Sequence, residues 1–302
     1  MAPSPRLARL LAASLGMGLT AALTVAQAPA PTPRPSRKPA PKSAAAAPRP
    51  VPTPEARAIE ILKASCAKLA AAGSMSFTAL GAYEVPSLWG PPLIYGRIYE
   101  VALQRPDKIA VVTVGDGPRT EFYDDGKVMM SFHPAENLVA VTEAPTNIDG
   151  ALDKLFSDSG TYFPFTDQIV KDPWGDIASA LTGAFYVGES NLIGGVTTDV
   201  VAYESNGVFI QTWIGKDDKL PYMARAMFVD DPLQLRHSVQ FTSWKLEPPL
   251  GPEKFTTTKA GNADKIPFNH PRMKSDVPAP AKASGGTKKP VARPKSATPK
   301  PQ

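Results

Sequence analysis

The 302-residue chain has one cysteine, Cys66, and three histidines, His133, His237 and His270. A single thiol excludes a disulfide within the chain. Its position, far from the N-terminal region, also excludes acylation at a mature N-terminal cysteine, so stability must come from an apolar core. The histidines are scattered and have no Cys, His or Glu companion at a zinc-like spacing, so neither a metal nor a cofactor is expected. There is no Gly-x-Ser-x-Gly elbow, phosphate loop or dinucleotide fingerprint. Gly194-Gly195 has no helical pattern after it and reads as a turn. An enzyme reading is therefore left without a constellation, although carboxylates facing each other across strands, as in glycosidases, would not show in a sequence.

Acidic residues are missing from both ends. Residues 1–53 hold seven Lys/Arg and no acid, and residues 274–302 hold seven against Asp276 alone. Between them, 54–273 carry 19 basic and 27 acidic residues, a net charge of −8. The basic isoelectric point near 9.1 thus describes the tails. It gives no reason to expect the central part to bind nucleic acid.

Long apolar runs are missing too, beyond the first residues. There Arg6 and Arg9 precede an apolar stretch from Leu10 to Val25 and then Ala26-Gln27-Ala28. At roughly 16 residues the stretch is shorter than the ~20 a spanning helix needs, and small residues close it. A secretory signal peptide over 1–26, cleaved after Ala26, is the expectation, with an uncleaved anchor as its competitor. The protein is then expected in the periplasm. Residues 27–53 and 272–302 are Pro/Ala/Lys-rich and too poor in apolar side chains to offset chain entropy, so both are expected to be disordered. They serve either as solubilising spacers or as contacts to anionic lipid headgroups or cell wall.

What remains, 54–271, is long enough for one domain with a substantial core. It opens with a helix: Thr53 can cap it, Pro54 and Glu55 suit its first turn, and Gly73 can stop it. Ile59, Leu62, Cys66 and Leu69 form its apolar stripe, which makes Cys66 a buried structural thiol. Short β-favouring segments follow at about 75–85, 94–103, 108–115, 120–124, 127–133 and 138–142. Asp124-Asp125-Gly126-Lys127 forms one of the turns, with Asp125-Gly126 suited to positive φ; adjacent acids of this kind bond locally and do not make a metal site. From Thr146 to Leu181 the pattern becomes short, broken amphipathic helices. Strands resume at about 184–189, 197–204, 208–214, 223–229 and 235–244, giving eleven. In the last, Val239 and Phe241 face one way, and Ser238, Gln240 and Thr242 the other, with Trp244 at the end of the polar row. The fold class is α+β, an antiparallel sheet with helices confined to one face.

The order helix, Phe77-Thr78, Arg105-Pro106-Asp107, Phe122-Tyr123-Asp124-Asp125-Gly126-Lys127, Asn147-Ile148-Asp149-Gly150-Ala151-Leu152, Phe163-Pro164, Gln211-Thr212-Trp213-Ile214 and Leu220-Pro221 resembles DUF2092, a family of predicted periplasmic proteins. That family is similar in turn to the LolA/LolB lipoprotein carriers. The resemblance implies an incomplete barrel of about eleven antiparallel strands, LolA-like, covered by short helices over an apolar cavity. It places Phe77, Tyr83, Tyr99, Phe122, Met130, Phe132, Trp213, Phe228 and Phe241 as candidates for the cavity wall, and Phe156, Phe163, Phe165 and Trp174 for a helical lid. It makes Arg105 a lid latch. The implied function is a monomeric, non-enzymatic binding or carrier protein for a lipid, an acylated protein or another apolar ligand. The alternative is an envelope regulatory or scaffolding module that binds a protein partner through the same fold.

Overall fold

The computed structural model describes residues 54–269. The expected signal peptide, the 27–53 linker, Thr53, His270 and the C-terminal tail lie outside these residues. The chain begins with helix α1 (Ala56–Ala71) and continues through six strands, β1 (Ser74–Val85), β2 (Leu93–Gln104), β3 (Lys108–Gly115), β4 (Thr120–Asp125), β5 (Val128–His133) and β6 (Leu138–Glu143). Three helices follow, α2 (Ile148–Ser159), α3 (Thr166–Ile169) and α4 (Pro173–Ser179). Strands β7 (Leu181–Ser190), β8 (Thr198–Ser205), β9 (Val208–Gly215), β10 (Pro221–Phe228) and β11 (Arg236–Leu246) complete the expected set. A twelfth strand, β12 (Asp264–Ile266), was not expected.

All strands belong to one open sheet in the order β12-β6-β5-β4-β3-β2-β1-β11-β10-β9-β8-β7. Every pairing is antiparallel except β12 on β6, which is parallel. The meander therefore runs outward in both directions from the β1–β11 pair, which joins the first strand to the last of the antiparallel ones. The helices inserted between β6 and β7 share one face of the sheet with α1, and the fold is α+β, an incomplete barrel with a helical cover.

Two apolar clusters lie beneath that cover. The larger packs β1–β6 and β11 against α2 and α3 through Phe77, Tyr99, Phe122, Leu155, Phe165 and Phe241, among others. The smaller packs α1 and α4 on β7–β9 through Ala58, Leu62, Ala184, Val201, Tyr203 and Ile214. Cys66 is buried on the α1 stripe, as expected, and desolvation pushes its thiol pKa up to about 12, so it stays protonated and inert. Ile59 of the expected stripe is only half-buried, while Ala58 is fully buried beside it.

Glycine matters at the β4–β5 turn. Gly126 has φ 86°, and a Cβ there would lie 2.5 Å from the Asp107 carboxylate. Only Gly126 takes positive φ; Asp125 does not, contrary to expectation. The aspartates hold the turn instead, Asp124 accepting from the Gly126 N–H and Asp125 from those of Lys127 and Val128, all at 2.8 Å.

After β11 the chain crosses the face opposite the helices. A 3-10 turn at Pro252–Phe255 contacts β3 and β4, with Phe255 buried, and a second at Lys259–Asn262 buries Ala260 against Phe132 and Val139. Beneath this strap Glu121 is 1% exposed and accepts hydrogen bonds from Arg119 Nε and the Tyr123 hydroxyl, each at 2.8 Å. Burial raises the carboxyl's pKa, but these bonds together with the charges of Arg119 and Lys259 outweigh it and hold it below its ordinary range.

Candidate functional site

The helix-covered face of the sheet is where the sequence puts its candidate binding residues. Pairing across the strands decides which of them reach it. Phe77 on β1 fixes the face, because it lies in the core against Phe165 and Phe241. On β2 the odd-numbered residues Tyr99, Val101 and Leu103 share that face, and on β4 Phe122 does, opposite Val111.

From the interval between α2 and α3 two phenylalanines descend onto this surface. Phe163 and Phe165 stack on each other with centroids 5.3 Å apart. Phe165 meets Phe77 and Tyr99 edge-on, both at 5.5 Å, and Phe163 meets Tyr99 at 6.1 Å and Phe122 at 5.9 Å. Six expected residues, Phe77, Tyr99, Phe122, Phe163, Phe165 and Phe241, thus form one aromatic cluster. The space in which the resemblance would put an apolar cavity is occupied here by the cover's own side chains. A cavity does persist between α1, α3, α4 and β8–β10, lined in part by Cys66, Gln168, Tyr203 and Thr212, but it measures about 40 Å³. Ligand pockets run to roughly 300–1,000 Å³. Gln168 Oε1 is buried beside this cavity with no hydrogen-bond partner among the described residues.

The other expected residues fall elsewhere. Trp174 packs from α4 onto the smaller cluster, and Phe156 is half-buried on α2. Tyr83 and Phe228 are on the covered face but beyond the helices, joined through His237, with centroids 6.4 and 6.1 Å from its ring. Phe228 is 54% exposed.

Met130, Phe132 and Trp213 are not on this face. Phe122 pairs with Ser131, so Ser131 and Met129 point to the helices while Met130 and Phe132 point to the C-terminal strap. Trp213 lies opposite Met223 and Val200, whereas its neighbour Thr212 pairs with the inward-facing Ala224. Trp244 makes the reverse move. A bulge at Ser243, φ 57°, shifts the register of β11, so Trp244 leaves the polar row and packs against Phe77 at 4.3 Å and Phe241 at 5.6 Å. Its indole N–H donates to the Pro221 carbonyl at 2.9 Å.

Besides its apolar packing on the sheet, the cover is tied down by a few polar contacts. Asn147 caps α2 by accepting from the Gly150 N–H at 2.8 Å, and the Ile148 N–H donates to the Pro106 carbonyl at 2.9 Å. Gly160, φ 73°, ends α2 in the left-handed conformation that glycine adopts without strain. The Asp149 carboxylate accepts from the Lys171 N–H at 3.0 Å, tying α2 to the chain beyond α3. Arg105 sits at the junction. Its Nε donates to the Ala72 carbonyl at the end of α1 (3.2 Å), and its Nη2 donates to the Val170 carbonyl at the end of α3 (3.1 Å). Burial lowers its pKa from the ordinary arginine value, with Asp149 opposing that shift, and the guanidinium stays charged.

Residues 58–269 match the model of a family described as "Predicted periplasmic protein (DUF2092)". The chain belongs to this family. A DUF2092 protein is periplasmic by that description, and the order of motifs read from the sequence agrees with it. Among curated proteins none matches. Several solved structures are similar at low identity. The MucA/MucB complex of Pseudomonas aeruginosa gives 16% identity and a TM-score of 0.40, with 68% of this chain and 62% of that chain covered. LprF from Mycobacterium bovis gives 14% and 0.39, covering 66% and 100%. The LolA superfamily protein NE2245 from Nitrosomonas europaea gives 12% and 0.29, covering 66% and 97%. The chain thus spans less than two thirds of the MucB structures it resembles, at 60% to 63%.

Proposed function

We propose that this protein is a non-enzymatic periplasmic binding or carrier protein for a lipid, a lipoprotein acyl chain or another apolar ligand, held between the sheet and a lid made of α2, α3 and α4. The observation that carries this reading is the Phe163–Phe165 pair, stacked at 5.3 Å and laid on an aromatic surface of the sheet. Both sit between two helices held by apolar packing and a handful of polar contacts. An apolar ligand can replace such a pair without a large change in free energy. Fully burying a phenylalanine is worth about 1.5–3 kcal/mol, and an acyl chain recovers about 25 cal/mol for each Å² it buries in the same place.

Arg105 acts in this reading as the latch. It donates to the last carbonyls of two helices, groups that otherwise lack intrahelical partners. Breaking its bond to Val170 frees the α3 end of the lid while leaving α1 on the sheet. No polar chemistry is asked of the aromatic surface, in keeping with a function of burial and release.

The test is native mass spectrometry of the full chain exported to the periplasm, followed by organic extraction. A co-purifying acyl species supports the carrier reading and names its cargo. A chain that arrives empty, and that excludes added fatty acids and phospholipids, overturns it in favour of an envelope module that binds a protein partner through the same fold.

A further inference from the structure

The short helix α3 separates two different surroundings. Phe165 at its start lies in the aromatic cluster, whereas Asp167 and Gln168 line the cavity between α1, α3, α4 and β8–β10. The opposite wall is tied to the same cluster: Pro221 lines the cavity, and its carbonyl accepts from the indole N–H of Trp244, which packs on Phe77. Space vacated by the Phe163–Phe165 pair would therefore adjoin this cavity. At about 40 Å³ the cavity cannot hold a lipid. It suits a head group of about three water-sized atoms, at roughly 10–15 Å³ for each.

The lining is polar and without a cation. Among the described residues no Lys, Arg or His reaches it, and Asp167 is its one carboxylate. Ser65 on α1, Tyr203 on β8 and Thr212 on β9 bring buried hydroxyls. Thr212 donates its hydrogen to the Met223 carbonyl at 3.2 Å, so its oxygen is left to accept. Burial, with Asp167 adding to it, pushes the Tyr203 pKa up, so that hydroxyl keeps its proton and can donate. Gln168 Oε1 is the complementary acceptor, buried and without a hydrogen-bond partner among the described residues. A buried acceptor in that state is costly, and a donor that arrives with a ligand relieves the cost.

These groups discriminate between heads. A carboxylate or phosphate entering here loses its water and gains no counter-charge, with Asp167 opposing it. A neutral hydroxyl can donate to Gln168 Oε1 and accept from Tyr203, which leaves no charge unpaired. We propose that this cavity is a head-group subsite, and that the ligand it selects is a neutral acyl lipid with a hydroxylated head, of the monoacylglycerol or fatty-alcohol kind. The inference rests on the carrier reading of the aromatic surface and adds the polar end: the acyl chain takes the place of Phe163 and Phe165, and the head reaches past α3 to Gln168. Fatty-acid anions and phospholipids are held by their chains alone, and more weakly.

The test is competitive loading of the full exported chain, stripped of lipid, with monooleoylglycerol, oleate and oleoyl lysophosphatidylglycerol at equal concentration, read by native mass spectrometry. Monooleoylglycerol is expected to bind at least roughly tenfold more tightly than either anion. Q168L is expected to bring the three within about threefold of one another, and its empty form should melt no lower than the wild type, because an apolar side chain replaces an unpaired buried acceptor. Equal binding of the three lipids by the wild type overturns the proposal and leaves the carrier reading in place. So does a preference that survives in Q168L, since the head then lies elsewhere, or an empty Q168L that melts well below the wild type, since Gln168 is then already satisfied without ligand. If none of the three lipids is taken up, the subsite and the carrier reading fall together.

Discussion

Arg105 Nη2 lies 3.1 Å from the carbonyl oxygen of Val170, and this bond joins the end of β2 to the end of α3. A hydrogen bond to a charged group contributes about 1.5–3 kcal/mol, so its loss shifts local lid opening by up to about a hundredfold. R105L is expected to raise amide exchange in residues 160–180 by roughly 10- to 100-fold while β1 and β2 keep their protection. R105K is expected to resemble R105L, because an ammonium on a flexible stem does not span both carbonyls as the planar fork does. Uniform loss of protection across the domain would show that Arg105 stabilises the fold as a whole and does not latch the lid.

A second expectation separates the two faces of the sheet. Phe165 is fully buried on the lid face and Met130 is half-buried beneath the C-terminal strap. F165A is expected to lower stability by about 3–5 kcal/mol and to open space beneath the lid, and M130A to cost less. With a fluorescent fatty-acid probe, F165A should change uptake and M130A should leave it alone. Equal changes in both would remove the aromatic cluster from the binding site.

Asp124 makes stability depend on pH. Its side chain is fully buried, Oδ2 has no hydrogen-bond partner among the described residues, and desolvation together with Asp125 and Asp107 raises its pKa from 3.8 to about 6, against the bond from the Gly126 N–H. The folded state therefore takes up this proton before the unfolded state does. The resulting stabilisation is complete below about pH 4 and lost as pH rises through about 6. In chemical denaturation D124N should match the wild type near pH 4 and exceed it near pH 7 by on the order of 2 kcal/mol, retaining the bond from Gly126. Parallel stability curves for the two proteins would exclude Asp124 as the titrating group.

Strand positions were legible because turn residues and β-branched runs mark them locally, and ten of the eleven expected strands begin and end within two residues of their observed bounds; β7 alone starts earlier, at Leu181 rather than Ala184. Which face each side chain takes was less legible. In Val128-Met129-Met130-Ser131-Phe132 both parities carry apolar residues, so alternation cannot choose between them. The choice follows from the tight Gly126 turn, which sets Phe122 opposite Ser131 and so sends Met130 and Phe132 away from Phe122. Trp244 defeated alternation outright, since a bulge at a serine of positive φ leaves no mark in composition. The three-residue β12 is too short for any period, and its pairing with β6 rests on a contact made 120 and more residues away. The junction made by Arg105 was visible only as an Arg-Pro step. Its partners are backbone carbonyls, which every residue has.

The last prediction concerns the free edge at β7. Edge strands expose backbone groups that can pair with another chain. Here the first residues of the domain occupy two of them: the Glu55 N–H donates to the Ala184 carbonyl, and the Glu55 carboxylate accepts from the Tyr186 N–H, both at 2.8 Å. Glu55 therefore serves the sheet as much as the helix it precedes, where it makes no side-chain cap. E55A keeps the backbone bond and releases the Tyr186 N–H. Because the group is solvent-accessible once freed, the expected cost in stability is only about 0.5–1.5 kcal/mol. The larger effect should appear in association, with sedimentation velocity showing concentration-dependent dimers or larger species in E55A and a monomer in the wild type. E55Q, which retains an acceptor oxygen, should remain close to wild type. If E55A stays monomeric at high concentration, the edge is guarded by something other than Glu55, and the bulge between Tyr186 and Gly188 becomes the better explanation.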